Sequence, residues 1–566
     1  MEIFILLFAG LFIGIALYYL RLYRHPTVQR LSTNPLALME IPLEQLKETG
    51  SLLKRAHYLD TVLSTNGATE DCLYQGVLFL ELPNLARCQL LANRLHARIA
   101  LKDRHNTIFD LMLNQDRFPL KLAQCSLYLP PKTLTIAQIM EQLRGNFRSD
   151  EIVIIISLNE LQRVKLRLHT EDRAYSWVMP NSQELTQLLL HPNPTKIFVN
   201  LLVNQLERTR ISPYITQGGS KLFFGREKIL STILQARPAN YIISGGRQLG
   251  KSSLLQKIDS YYNPKDEDGK NINFNKKCRC YYLVLAGDNL QKPLAKALNL
   301  PLDTHIDSLL EKLAQVPRGT YRLILIDEAD QFIKKEIASF YPTLPYFRSL
   351  SEQGLCYFIF AGFWELYYAA TLDFKSPLKY FGEPIYINEL EEKACQQLAT
   401  EPMKMLNIEY ESPELVKYMI KQTGQRANLI AIICDEILKE IPNEQRIITA
   451  KEVKTAIDSE VLQSALYGWT ALTDEKKDAR LDRIIIYATV KKGQFTRGEI
   501  INLLNKFNHP YHSEQLSQSL NRLKLAFIIR KTTKGEDYYS YCVPLFRQML
   551  LRQELTLLLR DELKTK

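Results

Sequence analysis

The chain has 566 residues, 46% of them hydrophobic and 23% charged. That composition excludes a disordered or low-complexity protein and leaves room for three or four domains. The formal net charge of +11 suits contact with nucleic acid or anionic lipid without choosing between them. The nine cysteines are scattered. The close pair Cys278 and Cys280 has nothing nearby to complete a four-ligand metal site, so the pattern reads as reduced thiols in a cytosolic setting.

The chain opens on Ile3 to Leu20, an unbroken uncharged run of 18 residues. At 1.5 Å per residue it makes about 27 Å of helix, enough to cross a bilayer core. Glu2 precedes the run, while Arg21, Arg24 and Arg30 follow it. A cleaved signal would carry its positive charge before the apolar segment. The observed flank instead predicts an uncleaved, single-pass membrane anchor with the bulk of the chain cytoplasmic. Gly10 and Gly14 form a G-x-x-x-G that either lets two such helices approach or is simply a pair of small lipid-facing residues.

After a proline-containing tether (21–40), residues 41–208 form a first cytosolic block. "LYQGVLFLEL" (73–82) and "EIVIIISL" (151–158) read as buried strands, and 84–99 and 195–207 as helices. An α/β or α+β domain of unknown role follows, with no catalytic constellation. His96, His105, His169 and His191 are assigned structural or surface positions.

A Pro/Gly/Ser-rich break at 212–221 introduces a new pattern. Helix (226–235), strand (240–244), glycine-rich turn and helix (251–260) are followed by a polar loop. Strands at 281–286, 322–327 and 356–362 then alternate with helices, which predicts a parallel sheet with crossovers. From Leu390 to about Ile441 the helical period takes over.

The turn is "GGRQLGKSS", Gly245, Gly246, Arg247, Gln248, Leu249, Gly250, Lys251, Ser252 and Ser253. Its G-x-x-x-x-G-K-S spacing is that of a phosphate-binding P-loop. Glycines let backbone N–H groups approach phosphate oxygens, and the helix starting at Lys251 turns its positive end to the same place. Lys251 would reach the β and γ phosphates of ATP, and the Ser252 hydroxyl would join the shell of Mg²⁺. Downstream, "LILIDEAD" puts Asp327 at the end of a buried strand, on the edge where an open parallel sheet holds its ligand. Asp327 would orient a Mg²⁺-bound water, and Glu328 would polarise the attacking water.

These stretches, with "FFGREKIL" (223–230), "YFIFAG" (357–362), "SPLKYFGEPIYINELEEKA" (376–394) and "TGQRANLIAIICDEIL" (423–438), occur in one order. In that order they resemble the STAND and archaeal-type (ORC/Cdc6-like) branch of the AAA+ P-loop ATPases across roughly 220–445. The resemblance implies an ATPase core (220–389) and a helical lid (390–470). It also implies a role near the adenine for Gly225 and Arg226, and a γ-phosphate sensor at Arg426. Relatives often have Gly-Gly-x-Pro where this chain has Gly424-Gln425-Arg426-Ala427. "FAGFWE" lacks the polar or basic sensor that some relatives place there. Arg348 is a weak candidate for a trans-acting arginine and reads better as a surface residue. The gaps point to slow turnover, a switch more than a motor.

Residues 475–566 read as helix, helix, helix and β-hairpin, which resembles the winged helix that closes many such ATPases. Thr496 and Glu499 fit a capping box, and Ser513 an N-cap. Arg522, Lys524, Arg530, Lys531 and Lys534 give this segment a basic face for DNA phosphates, but Glu514, Glu536 and Asp537 share it. The whole chain therefore reads as an α/β P-loop ATPase with lid and winged helix, an N-terminal α/β or α+β domain (26–211) and one transmembrane helix (1–25). The expected function is an ATP- and Mg²⁺-dependent signalling switch with a protein partner or self-association. The alternative is a DNA-tethering protein with a structural or regulatory nucleotide.

Overall fold

In the computed structural model, residues 14–564 are described except 115–117, 119, 121, 149–150, 158–159, 171–175, 207–210, 215–221, 236, 265–276, 443–444 and 533–536. Glu2 and most of the apolar N-terminal run, including Gly10, lie outside them, as do Lys534, Glu536 and nearly all of the polar loop after 264. Residues 14–23 are helical. Among the described residues no helix is long and apolar enough to cross a membrane. The chain divides into two compact units, 1–213 with 405–407, and 214–404 with 408–566.

The first unit holds a five-stranded sheet in the order β1-β2-β3-β4-β5: β1 (Arg98–Leu101), β2 (Ile108–Met112), β3 (Gln124–Tyr128), β4 (Val153–Ile155) and β5 (Trp177–Val178). The first three strands are antiparallel and the last three parallel. Tyr128, Ile139, Leu143, Val153, Ile155 and Trp177 form its core. The strand expected over 73–82 is instead a helix, Glu70–Leu78. The Thr69 side chain accepts the Cys72 N–H as a cap, and Glu70 and Asp71 sit in the first turn, where the helix dipole favours anions. Leu73 and Gly76, three apart, are the residues it buries. The helix expected over 84–99 stops at Arg94, because β1 begins at Arg98.

The second unit is built on a parallel sheet in the order β10-β6-β9-β8-β7: β6 (Tyr241–Ser244), β7 (Cys278–Val284), β8 (Tyr321–Asp327), β9 (Cys356–Gly362) and β10 (Glu383–Tyr386). Every pairing in it is parallel. β8 is buried from Arg322 to Asp327, the near-continuous burial of a strand covered on both faces. One core layer gathers Ile324, Ile326, Phe358 and Phe360, and the opposite layer Ile243, Leu254, Leu325 and Ile359. β10 and the helix Asp330–Ala338 were not anticipated as elements.

The segment expected as a lid comprises the helices Glu392–Met405, Pro413–Thr423, Ala427–Glu440, Ala450–Ile457 and Glu460–Tyr467, with a short parallel pair of β11 (Glu409–Tyr410) and β12 (Ile447–Ile448). The C-terminal segment has the order of elements expected for a winged helix. The helices Lys476–Thr489, Arg497–Lys506 and Ser513–Leu525 pack on a sheet in the order β13-β15-β14, from β13 (Gln494–Thr496), β14 (Ile529–Lys531) and β15 (Tyr538–Tyr541). The Thr496–Glu499 capping box forms as expected. Ser513 is the first helical residue and His512 its cap. The strand expected near Phe527 starts at Ile529, because Phe527 turns the chain at φ 55°.

Candidate functional site

The glycine turn and the acidic turn converge on one strand end. Gly245 N–H donates to Gly362 O (3.2 Å) and Ala329 N–H to Ala361 O (3.0 Å), so the loops after β6 and β8 bracket the end of β9. β9 lies between the two strands, and in a parallel sheet all three deliver their C-terminal ends to one edge.

Within the glycine turn, Gln248 (φ 61°) and Gly250 (φ 94°) are left-handed, which curls the loop before the helix Lys251–Tyr262. Gly250 caps that helix without any side-chain hydrogen bond, and a Cβ on it would meet nothing within 4 Å. The helix therefore offers first-turn amides with no side-chain acceptor, the ordinary setting for phosphate. The Lys251 ammonium is buried and donates to Gly245 O (2.9 Å) and Gly246 O (2.8 Å). Burial lowers its pKa, against the charges of Asp330, Glu328 and Asp327, which face it. Ser252 and Ser253 follow on the same turn, each partly exposed. Leu249 is core.

Asp327 is 2% exposed at the end of β8. It accepts the Tyr282 hydroxyl (2.8 Å) and the Glu328 N–H (3.0 Å). Glu328 is left-handed at φ 54°, a conformation that costs a non-glycine residue about 1–3 kcal/mol. Asp330 accepts N–H groups from Phe363 (2.7 Å), Glu365 (3.0 Å) and Leu366 (3.3 Å), and so anchors the turn after β9. Tyr282 carried no sequence signal. Asp330 was visible in "LILIDEAD", but its role as an anchor was not.

Among the described residues no group of three or more His, Cys, Asp and Glu side chains could hold a metal by itself. Ser252 and Asp327 fit an ion that takes most of its ligands from phosphate and water. Asp327 has an oxygen engaged by Tyr282 alone, and Ser252 sits one residue beyond the lysine.

Gly225 and Arg226 are both left-handed (φ 72° and 61°). The Arg226 guanidinium donates to Glu389 O (2.8 Å) and Asn388 O (2.6 Å), and its N–H to the Glu391 carboxylate (3.1 Å). The pair thus clamps the junction between β10 and the lid. A Cβ on Gly225 would collide with Glu391 and Ala394.

Arg426 is joined directly to the glycine turn. Its guanidinium donates to Arg247 O (3.0 Å) and Ala526 O (3.1 Å) and stacks on the Trp469 ring at 3.7 Å. It is 2% exposed, with Nε unpartnered. Burial pushes its pKa down, and no carboxylate opposes that shift. Its neighbour Asn428 donates to the Gln248 side chain (2.8 Å). Gly424 caps the preceding helix at φ 60°, and a Cβ there would strike Cys542 O.

The winged helix reaches the same loop. Gly246 N–H donates to Leu525 O (2.8 Å), and a Cβ on Gly246 would lie 2.8 Å from Ala526 Cα. Phe527 packs in the core layer of Ile243, Leu254 and Ile387. Sequence reasoning missed this turn entirely, since residues 525–527 look like the ordinary end of a helix.

The basic face expected for DNA is corrected at Arg522, which is fully buried. It donates to Asp482 through Nε (2.7 Å) and Nη2 (2.9 Å), meets Asp478 at 3.3 Å, and lies over the Trp364 ring at 4.9 Å. Ser519 also donates to Asp482. Lys524 is partly buried, and burial with Lys531 nearby lowers its pKa. Arg530 and Lys531 are exposed. Arg348 pairs with Glu352 on an exposed helix face.

No family model matches the chain, and no curated protein does. Solved structures are similar in fold at low identity. A Walker-type ATPase of Pyrococcus abyssi is 13% identical with a TM-score of 0.42, covering 58% of this chain and 96% of its own. Aeropyrum pernix ORC2 protein (ADPNP-ADP complexes) is 10% identical with a TM-score of 0.42, covering 63% and 98%. Cdc6p from Pyrobaculum aerophilum is 16% identical with a TM-score of 0.31, covering 60% and 93%.

Proposed function

We propose that the second unit binds ATP with Mg²⁺ and hydrolyses it slowly, as a switch of the STAND/AAA+ type. The observation that carries this reading is the convergence at the end of β9. A helix start without a side-chain cap, a buried ammonium and a buried strand-end carboxylate meet there. Amides of the turn from Arg247 to Ser253 would hold the β and γ phosphates, and Lys251 would leave its two loop carbonyls for a phosphate oxygen. Ser252 and Asp327 would hold the metal, whose chemistry is to neutralise charge on the phosphates. Glu328 takes the proton of the attacking water.

The switch lies in what else holds the glycine turn. Arg426 is a buried cation held by two neutral carbonyls, one from the turn and one from the winged helix, with its Nε unpartnered. A phosphate anion is the stronger partner. Exchanging Ala526 O for phosphate would loosen the winged helix, so nucleotide state and winged-helix docking are linked. Gly225 and Arg226 would transmit lid movement at the adenine side.

We further propose that the N-terminal apolar run anchors the chain in a membrane with both units cytoplasmic, and that the winged helix takes a protein partner or a second copy. Burial of Arg522 removes one support of the DNA-tethering alternative. The deciding experiment is ATP binding and turnover by the full chain and by Lys251→Ala. Loss of binding in the variant is expected; unchanged affinity would overturn the site.

A further inference from the structure

The edge of the parallel sheet opposite the glycine turn carries an unusual ridge. The segment after the helix Asp330–Ala338 presents Phe340, 92% exposed, and the segment before β10 presents Phe374 (83%) and Tyr380 (86%). The two segments are joined, since the Tyr341 hydroxyl donates to Asp373. They lie where the strands begin: Asn240, just before β6, bonds Phe381 O through its side chain, and its carbonyl accepts the Glu383 N–H. Phe340, Tyr341 and Tyr380 are all left-handed, at φ 59°, 60° and 63°. Such backbone is costly for aromatic residues, and at Phe340 and Tyr380 it turns the ring out of the fold.

The ridge is also cationic. Lys379 Nζ lies 4.4 Å from the Phe374 ring centroid and 5.8 Å from that of Tyr380, fixed there by a bond to Thr371 O (2.6 Å). Lys375 beside it is exposed. Asp373 is engaged by the Tyr341 hydroxyl and by the Lys375 N–H (2.9 Å), which leaves Glu383 as the exposed carboxylate nearest in sequence.

We propose that this ridge is a docking surface for an anionic lipid bilayer. Rings standing almost wholly free form a projection from the surface. A fluid interface closes around such a projection without shape complementarity, whereas a protein anchor needs a matching cavity on its partner. Phenyl and phenol rings with lysine stems are suited to the headgroup level, and the lysines answer the negative surface potential. Two lysines are too few to track a nucleic-acid backbone. The inference goes beyond the nucleotide reading and does not require the N-terminal anchor, which would add to it.

The test uses the full chain with phosphatidylcholine vesicles, with and without phosphatidylserine, some lipids carrying bromine. Phe340→Trp places a reporter on the ridge, and Leu302→Trp, at an exposed site, serves as control. Quenching of the Phe340→Trp reporter alone, only on phosphatidylserine vesicles, is the expected result. Lys375→Glu with Lys379→Glu should weaken it by about fivefold or more per lysine. If the chain floats with vesicles while the Phe340→Trp reporter stays unquenched, the ridge proposal is overturned and the anchor stands. If the chain ignores vesicles, both are overturned. A reporter that responds to single-stranded oligonucleotide or to dimer formation, and not to lipid, also overturns it.

Discussion

The two five-stranded sheets of this protein share strand number and little else. The sheet of the second unit is parallel throughout, buried on both faces, and gathers a glycine turn, an ammonium and three carboxylates at one edge. The first unit's sheet is half antiparallel, and its charged residues neutralise one another. Lys102 pairs with Glu151 at 2.6 Å, and Ser126 donates to both Glu151 (2.6 Å) and Asp110 (3.0 Å). In one sheet the charged groups are held by neutral partners, Lys251 by two carbonyls and Asp327 by a hydroxyl and an N–H. In the other they are consumed by their neighbours. The difference teaches that chemistry is better read from what a polar group lacks than from how many polar groups meet.

That contrast can be broken by substitution. The largest effect belongs to Lys251→Ala, which should leave no measurable ATP affinity by calorimetry, while Lys102→Met leaves ATP affinity unchanged. Glu328→Gln comes next, with ATP still bound and turnover slowed about 100-fold or more, the usual worth of a positioned base. Normal turnover would remove Glu328 from that role.

Stability effects follow. Arg522→Met strands the Asp482 carboxylate in the interior and should cost about 3–5 kcal/mol in chemical denaturation. A cost near zero would mean the pair is open in solution. Arg426→Ala leaves the carbonyls of Arg247 and Ala526 without a donor and removes the stack on Trp469, for about 2–4 kcal/mol. Proteolysis at the winged helix should rise with it; an unchanged digestion pattern would detach Arg426 from winged-helix docking.

The smallest effect sharpens the other side of the comparison. Burial acts to raise the pKa of Glu151, but hydrogen bonds from Lys102 and Ser126 and the charge of Lys102 outweigh it and leave the carboxyl lowered. A lowered folded pKa means stability that is complete above the ordinary glutamate range, about 4.3, and lost as pH falls through the folded value. The first unit should therefore weaken below that range, and Lys102→Met should flatten the acid limb of a melting-temperature profile.

What could be read beforehand follows the same division. The spacing of Gly245, Gly250 and Lys251 after an apolar run needs no distant residue to make sense, and neither does Asp327 at the end of "LILI". Residues 73–82 misled because a short apolar run fits helix and strand alike, and the cap at Thr69 decided it. Arg522 looked like a surface cation because its partner Asp482 is forty residues earlier. Arg426 was singled out by resemblance, but its stack on Trp469 and its bond to Ala526 depend on tertiary packing that no local window contains.

The bond from Gly246 to Leu525 has a consequence for biosynthesis. The glycine turn is made well before its cover, with most of the sheet, the lid and most of the winged helix between them in the chain. On the ribosome the turn must pass a long interval uncovered, and the latch closes only when the C-terminal residues emerge. Closing that latch is therefore a late step in the making of the chain.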